Sequence, residues 1–437
     1  MSQDSSGKKG KLTSLEKKWV LYDVANSAFT LMVSTLIPIY FHQLAESENV
    51  AETDYLAYWG YAVTISTIAV ILLGPVLGAI SDKKDKKKPV FLATIILGAI
   101  GCFAMGFVSH WIAFIIVFML AKIFYQISLI IYDSTLNDVT DESRVDEVSS
   151  QGYAWGYIGS VIPFIVCLII FIVGSKNEVF AGPGKILSFA IVALWWFLVS
   201  MPLIKAYRQK HYVGDASGNK SDTNSDSNSE PEIHENILRQ LGGTLKEMAK
   251  NKQILFFVIA FFFYIDGVYT IIDMSTAYGT ALGLNTVSLL LALLVTQFVA
   301  FPSAITFGKL SKKYSSKTLI SVCIVAYFCV AMFAIFMTTQ VHFWILAVGV
   351  GLFQGGIQAL SRSYFTKIIP PERSGEFFSF LDICGKGASI LGTFLVSLIS
   401  QFTGNQRIGI APIAVFFIIG MILFRLSCSY GDKRDVA

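Results

Sequence analysis

The sequence contains twelve long apolar runs, and its charged residues lie in short clusters between them. A helix that spans a bilayer needs about 20 consecutive apolar residues, because each residue advances the helix by about 1.5 Å. Composition agrees, with 54% hydrophobic and only 15% charged residues. The pattern predicts an all-α membrane protein with twelve transmembrane helices. The runs lie at approximately 19–41, 57–80, 89–108, 111–135, 148–173, 186–204, 253–277, 286–308, 318–338, 342–366, 377–400 and 408–427.

Lysine and arginine residues are concentrated in the loops on one side of the predicted membrane. Alternate loops on the other side hold only Lys176, Lys185 and Arg407. Loops rich in lysine and arginine remain in the cytoplasm. Both termini are therefore predicted to be cytoplasmic, and an even number of helices agrees, because it places both termini on the same side. The N-terminal segment is 1–18 and the tail is 428–437.

A polar segment at 206–250 separates two predicted six-helix bundles, 19–205 and 251–427. Its part at 213–232 has low complexity and few apolar residues. Such a stretch cannot bury enough apolar area to offset the entropy of ordering, so the linker is predicted to be partly disordered. The following part, 233–250, fits an amphipathic helix on the membrane surface and a solvated linker helix equally well.

The two halves of the chain match each other at one constant spacing. Because each half has six helices, the two repeats have the same orientation. Parallel repeats are typical of major facilitator transporters, in which the solute site lies near the membrane midplane between the halves. The matching pairs are Gly78 with Gly308, Ser81 with Ser311, Lys83 with Lys313, Lys87 with Lys317, Glu142 with Glu372, and Ser149 with Ser379.

Several motifs resemble a known family. The loop at 78–88 has a glycine, Asp82 and a basic run, as in the major facilitator loop signature, with Asp85 where that signature has glycine. The segments YDVANSAF at 22–29, QGGIQALSRS at 354–363 and FFSF at 377–380 resemble the bacterial branch of the vacuolar amino-acid effluxer family. This resemblance covers Lys17 to about Arg425. It implies efflux or exchange of a small solute across the bacterial plasma membrane, with amino acids as the fungal precedent.

A short set of charged and amide side chains lies inside the apolar runs. Placing a charge in a bilayer costs several kcal/mol, so such residues usually face a cavity or one another. We take them as candidate functional residues. The candidates for binding substrate or a proton are Asp23, Asn26, Lys122, Gln126, Asp266, Gln354, Gln358, Asp382 and Lys386. The candidates for gating are Asp133 and Arg362, which lie inside apolar runs, and Asp82, which lies in the loop at 78–88.

Each candidate also has a structural interpretation. Asp266 lies near the middle of its run and is the leading candidate for a proton site, because burial favours the neutral form of a carboxylate. A structural ion pair between the halves explains Asp266 and Lys122 equally well. Asp382 and Lys386 are four residues apart, a spacing that permits a local pair on one helix face. Arg362 can clamp a substrate carboxylate or lock the cytoplasmic gate against an aspartate.

These features predict a secondary active transporter that moves a small solute by rocker-switch alternating access. An amino acid is the candidate solute and a proton the candidate coupling ion. Two alternatives stay open: a solute sensor with a transporter fold, and a lipid or drug exporter. The sequence has no nucleotide-binding loop ending in Lys-Ser/Thr and no metalloprotease spacing, so enzymatic activity, a cofactor, a metal and nucleic-acid binding are not predicted. A monomer is expected.

Overall fold

A computed structural model describes residues 11–50, 52–176, 178–213, 242–281, 286–403 and 406–435. The chain divides into two compact units. Unit 1 comprises Met1–Asp141 and Trp155–Val213, and unit 2 comprises Glu142–Ala154 and Gly214–Ala437. The segment predicted to be disordered, 213–232, lies almost entirely outside the described residues.

Unit 1 begins with α1, whose first turn is closed by a capping box. The Thr13 hydroxyl accepts a hydrogen bond from the Glu16 N–H at 3.2 Å, and the Glu16 carboxylate accepts one from the Thr13 N–H at 2.7 Å. The helices of this unit are α1 Ser14–Ser34, α2 Leu36–Ser47, α3 Glu52–Ser81, α4 Lys87–Met105, α5 Trp111–Ser134, α6 Leu136–Val139, α7 Val145–Lys176 and α8 Glu178–Ala206. The first turns of α7, to Ala154, group with unit 2.

The first predicted span is interrupted in the structure. α1 ends at Ser34, and α2 begins after Thr35. Pro38 provides the physical reason, because a proline ring clashes with the carbonyl four residues earlier and lacks an N–H to donate. The two helices together still form one apolar stretch, Ser14–Ser47, long enough to span a membrane.

Unit 2 contains the remaining helices, both long and short. They are α9 at 242–250, α10 Lys252–Ala281, α11 Thr286–Leu310, α12 Ser316–Ile335, α13 Gln340–Ile368, α14 Ser374–Thr403, α15 Gln406–Gly409 and α16 Ala411–Asp435. Short 3₁₀ turns at Glu142–Arg144 and Pro371–Arg373 precede α7 and α14. These turns lie at matching places in the two sequence repeats.

Eleven candidate membrane spans are present in the described parts of the chain, with α1 and α2 forming a single span. The twelfth long helix is α14, which has 30 residues. It carries three charged residues, Glu376, Asp382 and Lys386. The number and positions of the long helices agree with the twelve apolar runs of the sequence.

A buried tryptophan fixes the packing of unit 1. Trp196 on α8 is fully buried, and its ring stacks on Phe29 of α1 with centroids 5.4 Å apart. Tyr125 of α5 meets the same ring edge-on at 5.6 Å. The indole lies directly over Gly98 of α4, where a Cβ atom would come within 2.3 Å of it. Four helices therefore meet at one ring, and this contact requires glycine at position 98.

We expect Gly98→Ala to destabilise the protein. The added methyl group forces the indole or α4 to move, and overpacking of this kind costs about 1–3 kcal/mol. The measurement is the thermal unfolding midpoint of the purified protein in detergent. Gly182→Ala is the control, because a Cβ at Gly182 meets nothing within 4 Å. An equal loss in both variants would contradict the packing described here.

Candidate functional site

Asp266 is a fully buried carboxylate on α10, with 0% of its surface exposed. Its Oδ1 accepts a hydrogen bond from the Thr270 hydroxyl at 3.0 Å. The same atom accepts a second one from the backbone N–H of Gly392 on α14 at 3.1 Å. Oδ2 has no hydrogen-bond partner. Among the described residues, no lysine or arginine forms an ion pair with Asp266.

The carboxylate fits against α14 because residue 392 is glycine. A Cβ atom there would lie 2.3 Å from Asp266 Oδ1 and 2.1 Å from the Thr270 hydroxyl oxygen. Both distances are far below a normal van der Waals contact. The backbone of α14 therefore approaches the carboxylate directly, and Asp266 links α10 to α14.

A cavity of about 320 Å³ lies beside this carboxylate, within unit 2. Thr270 both lines the cavity and donates to Asp266. Ligand sites range from about 300 to 1,000 Å³, so the cavity suits a small molecule. The other polar lining residues are Ser275, Thr296, Gln297 and Gln354. The apolar ones are Ile271, Ile272, Met274, Leu293, Val330, Ala334, Met337, Phe343, Leu346, Ala347, Val350, Val396, Ile410 and Ile413.

Two lining amides are available to a ligand. Ser275 donates to the Ile272 carbonyl at 2.9 Å, and Thr296 donates to the carbonyls of Ala292 and Ala347. Gln354 is buried, with 7% of its surface exposed, and Gln297 is half-buried. Neither glutamine makes a hydrogen bond to another described residue. The cavity wall thus offers two amides on an otherwise apolar surface.

In unit 1, Asp23 is a buried carboxylate with a phenolic donor. The Tyr132 hydroxyl lies 2.8 Å from Asp23 Oδ2 and 3.1 Å from the Trp19 carbonyl oxygen. Asn26, one turn further along α1, donates to the Tyr22 carbonyl at 2.8 Å. Asp23 therefore connects α1 to α5 through Tyr132, whereas the Asn26 side chain forms its hydrogen bond within α1.

Lys122 and Gln126 lie one turn apart on α5. Lys122 is buried, and its Nζ lies 5.8 Å from the centroid of the Phe118 ring. A cation over an aromatic face is stabilised by the ring quadrupole. Gln126 is half-buried, and its side-chain oxygen has no hydrogen-bond partner. This face of α5 thus combines a buried cation with an unused acceptor.

The gating candidate Asp82 forms a buried ion pair with Lys87. Lys87 Nζ lies 3.0 Å from Asp82 Oδ1, and both side chains are 0% exposed. Between them, Asp85 has a φ of 58°, in the left-handed region that aspartate tolerates better than most non-glycine residues. Asp85 therefore adopts a backbone conformation that favours glycine, the residue of the signature at this position.

Arg362 on α13 binds the start of α7 within unit 2. Its Nε donates to the Ser149 hydroxyl and its Nη2 to the Ser149 carbonyl, both at 2.9 Å. Its guanidinium lies 4.4 Å from the centroid of the Tyr153 ring. The arginine thereby fixes the first turns of α7 against α13.

Asp146 binds α12 and α13 from the same segment of α7. Its carboxylate accepts hydrogen bonds from Lys367 Nζ at 2.7 Å, Ser316 at 2.7 Å and Ser363 at 2.5 Å. Sequence reasoning missed Asp146 and Lys367 because both lie near helix ends, where charges are common. The signal was an acidic pair, Asp146 and Glu147, beginning an otherwise apolar helix.

The remaining candidates are placed less specifically. Asp133, Gln358 and Asp382 are half-buried. Lys386 lies on α14, and its side chain is outside the described part of the structure. Within the described ranges, no group of three or more His, Cys, Asp or Glu side chains is arranged to hold a metal ion.

Comparison with known proteins places the chain in a family. A family model described as "Vacuole effluxer Atg22 like" matches residues 49–143 and 137–434. The chain belongs to this family. An uncharacterized MFS-type transporter of Bacillus subtilis, YxiO, is 39% identical to this Atg22-like chain over 418 residues, which cover 94% of each protein. Autophagy-related protein 22 of Saccharomyces cerevisiae is 29% identical over 299 residues, covering 61% of this chain and 54% of the yeast protein.

Solved structures show the same fold. FucP, a major facilitator transporter in the outward conformation, matches the Atg22-like chain with a TM-score of 0.69 at 13% identity, covering 95% of this chain and 97% of FucP. The proton:xylose symporter XylE matches with a TM-score of 0.69 at 12% identity, covering 94% of this chain and 93% of XylE. The predicted twelve-helix major facilitator fold and the predicted family are confirmed. The chain is a multi-pass membrane protein of a transporter family.

We expect Lys87→Met to destabilise the Atg22-like chain strongly. Removing one partner of a buried ion pair leaves an uncompensated charge, at a cost of about 3–5 kcal/mol. Thermal unfolding of the detergent-purified protein measures the loss. Lys86→Met is the control, because Lys86 is exposed and its side chain makes no capping hydrogen bond. If the two variants unfold at the same temperature, the ion pair does not have the role described.

Proposed function

We propose that this chain is a proton-coupled secondary active transporter of a small solute, and that Asp266 takes up and releases the coupling proton. Asp266 carries the proposal because it is fully buried and one of its oxygens has no hydrogen-bond partner. A buried ionised carboxylate is costly unless it is paired, whereas the neutral form avoids most of that cost. The site is therefore suited to a change of protonation state.

The contacts of Asp266 connect that change to the rest of unit 2. The ionised carboxylate accepts hydrogen bonds from Thr270 on the cavity wall and from the backbone of α14. Hydrogen bonds to a charged group contribute about 1.5–3 kcal/mol, more than those to a neutral one. Protonation thus weakens the hold of α10 on α14 and alters the cavity wall at Thr270. A solute in the cavity then affects proton binding, as coupled transport requires.

The proposed mechanism is rocker-switch alternating access, in which the Asp82–Lys87 pair and the Arg362–Ser149 contact stabilise one conformation. We place the chain in the bacterial plasma membrane with both termini cytoplasmic, and we take a single chain as the transporting unit. The proposed solute is an amino acid. The resemblance of the sequence motifs to the vacuolar amino-acid effluxers and the buried acidic and basic groups, Asp23 and Lys122 among them, support that assignment.

The test is uptake of a panel of labelled amino acids by proteoliposomes, with and without an imposed pH gradient. We expect gradient-driven accumulation of at least one amino acid by the native protein. In Asp266→Asn the gradient-driven part should fall to the level of protein-free liposomes, because the amide does not take up a proton. Glu46→Gln is the matched control, since Glu46 is an exposed carboxylate on α2 and its loss should leave uptake unchanged.

The other outcomes are equally informative. Uptake that follows the gradient in Asp266→Asn as in the native protein would contradict the role of Asp266. No flux of any amino acid, with or without the gradient, would contradict the amino-acid assignment. If purified protein bound an amino acid without moving it, the chain would be a sensor rather than a transporter.

A second candidate function is export of lipids or drug-like molecules. The observation that favours it is the cavity of unit 2, where apolar side chains predominate and no lining residue among those described carries a charge. An amino acid would find no cation for its carboxylate among these lining residues. This function predicts flux of apolar solutes instead of amino acids in the same liposomes.

A further inference from the structure

The cavity of unit 2 has chemistry of its own, which neither the family nor the proposed proton site defines. We infer that it binds a small, uncharged and largely apolar molecule whose single hydrogen-bonding group pairs with the amides of Gln297 and Gln354. This inference names a ligand class for the second candidate function, export of lipids or drug-like molecules. It rests on that function only for the claim that the bound molecule is transported. Binding itself is tested separately.

The size of the cavity limits the ligand. A closed apolar cavity of about 150 Å³ is enough to bind benzene. The present cavity, at about 320 Å³, accommodates a molecule larger than a single ring. Side chains from α10 to α14 and from α16 line it, among them Phe343, together with Met337 from the turn after α12. Two fused rings or a compact aliphatic molecule match this space.

The two glutamine side chains favour a ligand that carries a polar group. Burying an amide without a hydrogen bond costs about 1–3 kcal/mol by mutational measurements. Gln354 lines the cavity with 7% of its surface exposed, and it has no hydrogen-bond partner among the described residues. A hydroxyl or amide on the ligand would satisfy Gln354, and the Gln297 amide lines the same cavity. A pure hydrocarbon would leave both amides unpaired.

The described lining of the cavity favours a neutral ligand. Among the described residues that line it, none is a lysine, arginine, aspartate or glutamate, so a ligand carboxylate would meet no cation from them. The Thr270 hydroxyl already donates to Asp266. Desolvating an unpaired ion is far more costly than desolvating a hydroxyl. Neutral molecules are therefore preferred over amino acids and other zwitterions.

The experiment measures binding of tritiated 2-naphthol to the full-length protein in lipid nanodiscs, with unlabelled naphthalene as competitor. We expect saturable binding to the native protein and weak competition by naphthalene. Gln354→Leu should weaken naphthol binding by about three- to tenfold, the loss of one net hydrogen bond. Val350→Phe should abolish it, because Val350 lines the cavity.

Val348→Phe is the control for Val350→Phe, since Val348 lies on the same helix with 37% of its surface exposed and does not line the cavity. Loss of binding in Val350→Phe alone supports the inference. Absence of saturable binding to the native protein, or equal binding by both phenylalanine variants, overturns it. Equal competition by naphthalene together with no effect of Gln354→Leu shows a hydrocarbon or lipid-tail site, which also overturns it. Proton-driven amino-acid uptake is measured in the separate proteoliposome experiment, so a failure of this inference and a failure of the proposed function are distinguishable.

Discussion

A charged side chain within a helical membrane bundle persists only where the protein supplies its partners, and this constraint organises the polar groups of both units. Asp82 and Lys87 satisfy it as a pair, both fully buried. Asp146 satisfies it with a lysine and two serine hydroxyls. Asp266 differs, because it has two donors on one oxygen and no partner on the other. The fully paired carboxylates hold helices in place, whereas the partly satisfied one is suited to change its protonation state.

The local structure around Asp266 explains how such a change is transmitted. Glycine at 392 lets the α14 backbone donate directly to the carboxylate, so the proposed proton site is bonded to a helix backbone as well as to a side chain. Thr270 brings the other hydrogen bond to the cavity wall. In the proposed mechanism, proton binding, the position of α14 and the shape of the cavity are linked through these two hydrogen bonds.

Much of the fold follows from the sequence, because bilayer thickness sets the length of an apolar run. Each run can be recognised from its own residues, without knowledge of the rest of the chain. Asp266 could be predicted for the same reason, because its position near the middle of an apolar run is visible in the neighbouring sequence. Thr270 and Gly392 were not predicted, since Gly392 matters only when α14 packs on α10, and that contact is distant in sequence. The break at Thr35 has a local cause in Pro38, but the apolar run continues through it.

The cavity is the part that sequence reasoning described least well. Gln354 was a candidate because an amide in lipid is costly, and the same argument applies to Gln297 in the run 286–308, which was not selected. The apolar lining comes from several helices, so its composition appears only once the helices are packed. Lys122 was predicted to face a cavity, and in the structure its charge lies over the Phe118 ring of its own helix.

The most direct test of the central claim is infrared difference spectroscopy of the membrane-embedded protein during a pH titration, comparing the native chain with Asp266→Asn. If Asp266 takes up the coupling proton, the native protein will show a carbonyl stretching band of a protonated carboxyl group that appears as the pH falls and is missing from the variant. Identical titration spectra for the two proteins would show that Asp266 does not change its protonation state, and would contradict its assignment as the proton site.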